Sequence, residues 1–191
     1  EMMDFARRFL AETADVASRL DVEVIERMAA GLAEIRARGG RLFFLGVAGG
    51  AGHASHAVND FRKLAGIECY TPTDNVCELT ARINDDGWDS AFSAWLQGSR
   101  LGSKDAVFVF SVGGGNEAER ISVNIVNAVN LARSVGATIL GVVGRDGGHT
   151  ARNGDAVLVI PTVDETMVTP HTEAFQAVIW HLLVSHPKVA L

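Results

Sequence analysis

The chain has 191 residues, 48% of them hydrophobic and 21% charged, with a net charge of −6. That length allows one well-buried core, so a single domain over residues 1–191 is expected. The acidic balance, without a cluster of Lys and Arg, excludes a phosphate-backbone binder, and no window suits a membrane span or signal peptide; neither nucleic acid nor membrane is an expected partner, and the expected location is cytoplasmic.

Residues 1–40 read as two helices that form an arm. Phe5, Phe9, Val16 and Leu20 share one face, Val24, Met28, Leu32 and Ile35 another, and Asp21 is placed to cap the second helix. Gly39 and Gly40 end the pair, and the period then changes. Five short β-rich runs follow: "RLFFLGV", "IECYTPT", "AVFVFSV", "TILGVVG" and "AVLVIPT". They are continuously apolar, as strands covered on both faces are. Between and after them come amphipathic stretches, "NEAERISVNIVNAVNLARSVGA" and a last one with Pro170 in its first turn. The alternation predicts an α/β fold, a three-layer αβα sandwich with a five-stranded parallel sheet over residues 41–191, preceded by the arm. Cys69 and Cys77 have no partner motif and read as thiols in a reducing compartment.

Glycine-rich turns follow the first and third runs, "GVAGGAG" (46–52) and "SVGGGNE" (111–117). In open parallel sheets ligands bind beyond the carboxyl ends of the strands, where glycine lets the backbone approach and the next helix offers free N–H groups. Gly49, Gly50, Ser111, Gly113, Gly114, Gly115 and Asn116 are therefore candidate anion-binding residues. Lys and Arg are scarce around the loops, so binding is expected to rest on helix ends. The plainer alternative is that these glycines only make tight strand-to-helix turns. His56 and Asp60, four apart on the helix after the first loop, suit a metal or a proton transfer. His53 and His171 are candidate substrate contacts. His149 and His186 read as turn or helix ends, and Trp88, Trp95 and Trp180 as core or interface.

The order of these motifs resembles the sugar isomerase (SIS) domain family, in its phosphoheptose isomerase branch. That branch has a two-helix arm, a "GNGGS" loop, a helix with His and an acid four later, an "STSGNS" loop and a final helix with a second His. The counterparts here are "GVAGG" (46–50), His56 and Asp60, "SVGGGN" (111–116) and His181; "NDDGWDSAF" (84–92) is similar to the branch's "NDFGFNDIF". The resemblance implies a divalent metal, typically zinc, at His56, Asp60, Glu173 and His181. It implies Asp60 as base and His181 as acid in an aldose–ketose isomerisation through an enediol, with Asn84 and Asp85 near the sugar hydroxyls. It also implies a phosphorylated sugar such as sedoheptulose 7-phosphate, and a homotetramer with sites between subunits.

This chain departs from the pattern. Val47 and Gly50 stand where the first loop has asparagine and serine; Val112, Gly113 and Asn116 replace hydroxyl residues of the second. Glu173 and Asp60 replace glutamine and glutamate. Those losses motivate two alternatives: a non-catalytic module that binds a sugar phosphate or a protein partner, and an isomerase acting on a different substrate.

Overall fold

Five strands, β1 (Leu42–Gly46), β2 (Cys69–Tyr70), β3 (Ala106–Ser111), β4 (Thr138–Val143) and β5 (Ala156–Val159), pair in parallel in the order β2-β1-β3-β4-β5. The computed structural model describes residues 2–191. Among these the strands alternate with eight α-helices: α1 (Met2–Ser18), α2 (Val22–Ala37), α3 (Gly49–Ala65), α4 (Val76–Asp86), α5 (Ala91–Gly98), α6 (Val123–Ser134), α7 (Gly148–Asn153) and α8 (Val168–Ser185). The second apolar run shrinks to two residues, because Pro72 opens a 3-10 turn at Pro72–Asp74 and removes a ladder donor.

Pleating sends alternate side chains to opposite layers. Leu42 and Phe44 of β1, with Phe108 and Phe110 of β3, pack against α2, α3 and α8. Phe43 and Leu45, with Val107 and Val109, pack against α5 and α6. Continuous burial along β1 explains the unbroken apolar runs. Ile25, Met28, Leu32 and Ile35 of α2 lie in the first core, so the second helix of the arm is part of the sandwich. Helix α1 buries Val16 but leaves Phe5 47% and Leu10 67% exposed.

The stretch expected to be helical from Asn116 becomes helical only at Val123. Asn116 Oδ1 accepts from the Glu119 N–H at 3.1 Å, Asn116 and Ile121 form an antiparallel bridge, and Arg120 and Ser122 sit at φ 55° and 50°. An Asn-capped turn competes successfully with the helix there.

At the opposite edge of the sheet Asp105, 5% exposed, accepts from the backbone N–H groups of Arg41 and Gly102 and from the Arg41 guanidinium at 2.8 Å. Burial raises its pKa, but these bonds outweigh burial and hold the carboxyl below its ordinary 3.8. A depressed folded value stabilises above the unfolded pKa, and that stabilisation is lost as pH falls through the folded one. Asp105→Asn is expected to cost about 2 kcal/mol near neutrality. In urea melts the gap between variant and wild type should close as pH falls below the ordinary carboxyl value of 3.8.

No helix among the described residues is long and apolar enough to cross a membrane. Both cysteines are free, and burial pushes the Cys69 thiol up to about 12, which makes it inert.

Candidate functional site

Strand order reverses between β1 and β3, which opens a crevice at the carboxyl edge where the two glycine loops lie. The glycines there have separate reasons. A Cβ on Gly50 would come 2.6 Å from the Phe110 carbonyl oxygen, so the helix can sit this close to the sheet only without a side chain. Serine at that position would lack room, not merely a partner. In the second loop Gly114 has φ 71°, and its carbonyl accepts from Thr150 N–H at 2.9 Å and Thr150 Oγ1 at 2.8 Å. The Gly115 carbonyl accepts from the His149 N–H at 2.8 Å. Both are buried and tie the loop to α7, while the Asn116 amide is engaged in its own turn. The carbonyls of Gly114 and Gly115 are thus turned to α7, and the N–H groups of Gly114 and Asn116 donate within the loop, to Ser111 Oγ at 3.0 Å and to the Ile121 carbonyl at 2.9 Å.

A cavity of about 460 Å³ remains at this edge. Gly50, Ser111 and Gly113 of the expected residues line it. So do four residues that were not expected: Glu119, Ser122, Arg145 and Thr169. Ser122 is the N-cap of α6 with no hydrogen bond from its side chain to the helix, so its hydroxyl joins that of Ser111 at the cavity. Its signal in the sequence is a serine immediately before an apolar helical run, obscured by the preceding turn. Lys and Arg were expected to be scarce around the loops, and Arg145 is the one cation in the described lining; it comes from the loop after β4, which also lies at the carboxyl edge.

The second feature lies along α3 and α8. His56 Nε2 is 3.4 Å and His181 Nε2 3.8 Å from Asp60 Oδ2, and one ligand atom from each residue lies within 4.8 Å of the others. Helical spacing puts His56 above Asp60, and the side-by-side packing of α3 and α8 brings His181 to both. Asp60 is 8% exposed; Oδ2 accepts from Trp180 Nε1 at 3.0 Å and Oδ1 from Asn59 Nδ2 at 3.0 Å. His181 Nδ1 is 2.7 Å from the Ala177 carbonyl, which only accepts. The proton therefore sits on Nδ1, and in the neutral ring Nε2 turns a lone pair towards Asp60.

This donor set fits a divalent ion. Tetrahedral ligands at about 2.1 Å stand about 3.4 Å apart, close to the separations here, and a histidine whose other nitrogen donates to a carbonyl is the usual ligand form. Two imidazoles and one carboxylate suit zinc or a neighbouring ion. Trp180, expected in the core or an interface, is buried in the core and also holds the acid through Nε1. Trp180→Phe removes the donor and keeps the bulk, so zinc affinity is expected to fall about 10-fold by competition with a chromophoric chelator.

The remaining expectations fare differently. Glu173 does not join the cluster: it lines the cavity, and a Cβ on Gly49 would lie 2.6 Å from its Oε2. It precedes His181 by eight residues, about 12 Å along the helix. The cavity lining likewise does not include His56, Asp60 or His181, so cavity and cluster are neighbouring stations on one pair of helices rather than a single point at the sheet mouth. His53 lies one turn before His56; its Nδ1 is 2.9 Å from Gln176 Oε1, and Gln176 Nε2 donates to the Val142 carbonyl at 3.0 Å. Asn84 and Asp85 are exposed on α4, bond to each other at 2.9 Å, and do not line the cavity. His171 is buried against the arm, with Nε2 2.9 Å from Glu12. His149 starts α7, and His186 caps α8 beside Glu26.

No protein-family model matches the chain. A phosphoheptose isomerase of Rhodospirillum rubrum is 32% identical over an alignment that takes in 100% of this chain and 99% of that protein. One from Sulfurimonas denitrificans is 37% identical over 58% of this chain and 51% of its own length. The lincomycin biosynthesis protein LmbN of Streptomyces lincolnensis is 29% identical over 78% of this chain and 56% of its own. In these last two matches the chain spans about half the length of the relative. The solved structure of phosphoheptose isomerase GmhA from Neisseria gonorrhoeae superposes with a TM-score of 0.83 at 20% identity, covering 96% of this chain and 98% of that one, which is a likeness of fold.

Proposed function

The chain belongs to the phosphoheptose isomerase family, and we propose from that premise that it is a metal-dependent isomerase interconverting the ketose and aldose forms of a phosphorylated sugar. The observation that carries this reading is the His56–Asp60–His181 cluster, with its nitrogens aimed at one carboxylate beside a carboxyl-edge cavity. An ion held there would polarise the sugar carbonyl and stabilise negative charge developing on oxygen.

The proton work falls to the side chains. Aldose–ketose exchange takes a proton from the carbon beside the carbonyl and returns it to its neighbour. Asp60 has two oxygens: Oδ2 faces the histidines, and Oδ1 is held only by Asn59, an exposed residue. Oδ1 is the base. His181, the acid implied by the resemblance, has one open nitrogen, so holding an ion and carrying a proton exclude each other at any instant. His53, with Nδ1 committed to Gln176, is the other imidazole on this stripe of α3. Gln at position 53 or 181 separates the roles, because the variant that keeps its metal and loses turnover marks the acid.

A panel of ketose phosphates that includes sedoheptulose 7-phosphate, with and without chelator, tests the proposal. Chelator-sensitive turnover of at least one supports it; no turnover of any removes it. A second reading, an isomerase for a different sugar, draws on Val47 and Val112 and on the Glu173 carboxylate in the cavity. Turnover confined to sugars other than heptuloses would favour that one.

Assembly is part of the proposal. Phe5, Leu10, Val76 and Val178 are 47–69% exposed, and the cluster histidines are open to solvent. Burying these in a homo-oligomer, a tetramer by resemblance, would cover both the arm and the ion site. Light scattering should return a multiple of the 20.3 kDa chain mass.

A further inference from the structure

We infer that Arg145 is the residue that recognises the anionic group of the ligand, a phosphoryl group in the reading above, on which this inference rests. The hydroxyl-lined cradle implied by resemblance is reduced. Val112 lines the cavity, Gly50 has no room for a side chain, and the Gly114 N–H is committed to Ser111 Oγ at 3.0 Å. At the α3 end the Glu173 carboxylate lies against Gly49, so a second anion entering there meets like charge rather than a free helix N-terminus. The anion must then be held from the other side.

The Glu119 carboxylate lines the cavity as well, and Arg145 is the one cation among the described residues of the lining. It lines the cavity, and its Cδ lies 3.9 Å from the position of a Cβ on Gly113, in the second glycine loop. Its guanidinium is uncommitted: among the described residues no carboxylate lies within 4.0 Å of it, while the adjacent Asp146 pairs with Arg152 at 3.7 Å. Its backbone is constrained. Gly144 N–H donates to the Val112 carbonyl at 2.8 Å and Gly147 N–H to the Gly144 carbonyl at 2.9 Å, which closes a tight turn with Arg145 at φ 51°. A long side chain at positive φ is uncommon, and such conformations concentrate at binding sites. Ser111 and Ser122 line the same wall and add hydroxyl donors. A forked guanidinium matches a phosphoryl group's oxygens in a bidentate way that scattered hydroxyls do not.

Glycine adopts φ 51° without strain, so Arg145→Gly separates recognition from stability. Calorimetric binding to the chelator-treated protein would be measured for sedoheptulose 7-phosphate and for unphosphorylated sedoheptulose, alongside thermal melts. The expected result is a melting temperature equal to or above wild type, affinity for the phosphorylated sugar about 10- to 100-fold weaker, and affinity for the unphosphorylated sugar unchanged. Arg145→Lys should recover part of the loss. Equal weakening for both sugars, or none for the phosphorylated one, overturns the inference, as does a wild type that does not prefer the phosphorylated sugar. Wild type that binds through Arg145 but turns over nothing would leave this site standing and remove the isomerase.

Discussion

Asp60→Asn is expected to lower kcat by about 1,000-fold or more, with the fold intact. The substitution keeps the shape of a side chain that is 8% exposed, so packing around it survives. What disappears is the negative charge that both histidines face at 3.4 and 3.8 Å, together with the oxygen able to take a proton. The amide can keep its oxygen on Trp180 Nε1, where the acid accepts at 3.0 Å, and turn its NH₂ to the exposed Asn59, so the Oδ1 acceptor is lost without a buried donor clash. Turnover of a ketose phosphate and zinc content should fall together, while circular dichroism and the melting temperature stay near wild type. A variant that keeps substantial turnover would remove Asp60 from the chemistry.

Gly46→Ala should be strongly destabilising. Its Cβ would stand 2.1 Å from the Gly50 carbonyl oxygen, 2.2 Å from that carbonyl carbon and 2.7 Å from the Ala51 nitrogen. All three are backbone atoms of α3, so no rotamer change relieves them, and the helix must lift from the sheet. The expected loss is about 3 kcal/mol, or about 10 °C in Tm for a domain of this size. Because α3 carries His56 and Asp60, zinc affinity should fall as well. Gly52→Ala is the control on the same helix. A Cβ there meets nothing within 4 Å, so alanine should hold or raise the melting temperature. Equal melting temperatures for Gly46→Ala and wild type would contradict the close helix–strand packing that sets the crevice.

Much of this architecture was legible in the sequence because its signals are local. Continuous apolar runs mark strands covered on both faces, and all five strands fall within those runs, although β2 keeps only two residues of its run. The i and i+4 placement of His56 and Asp60 is a property of one helix. The remaining sites depend on distances between elements, which periodicity does not carry. Glu173 and His181 share a helix, yet eight residues separate them along its axis, so one reaches the glycine loop and the other the cluster. Arg145 escaped notice because the loop after β4 carries no nucleotide-binding motif, although it opens on the same crevice. Ser122 was displaced from view by the Asn116–Ile121 turn, which interrupts what reads as an unbroken helix. The two-helix arm was visible as a pair of apolar faces; that α2 belongs to the sandwich while α1 leaves Phe5 exposed follows from packing alone.

Elemental analysis of the purified protein, after zinc is offered and the excess removed, bears most directly on the account. Close to one bound ion per chain is predicted for wild type, and a fall towards none for His181→Ala. Wild-type protein that retains no divalent ion would contradict it.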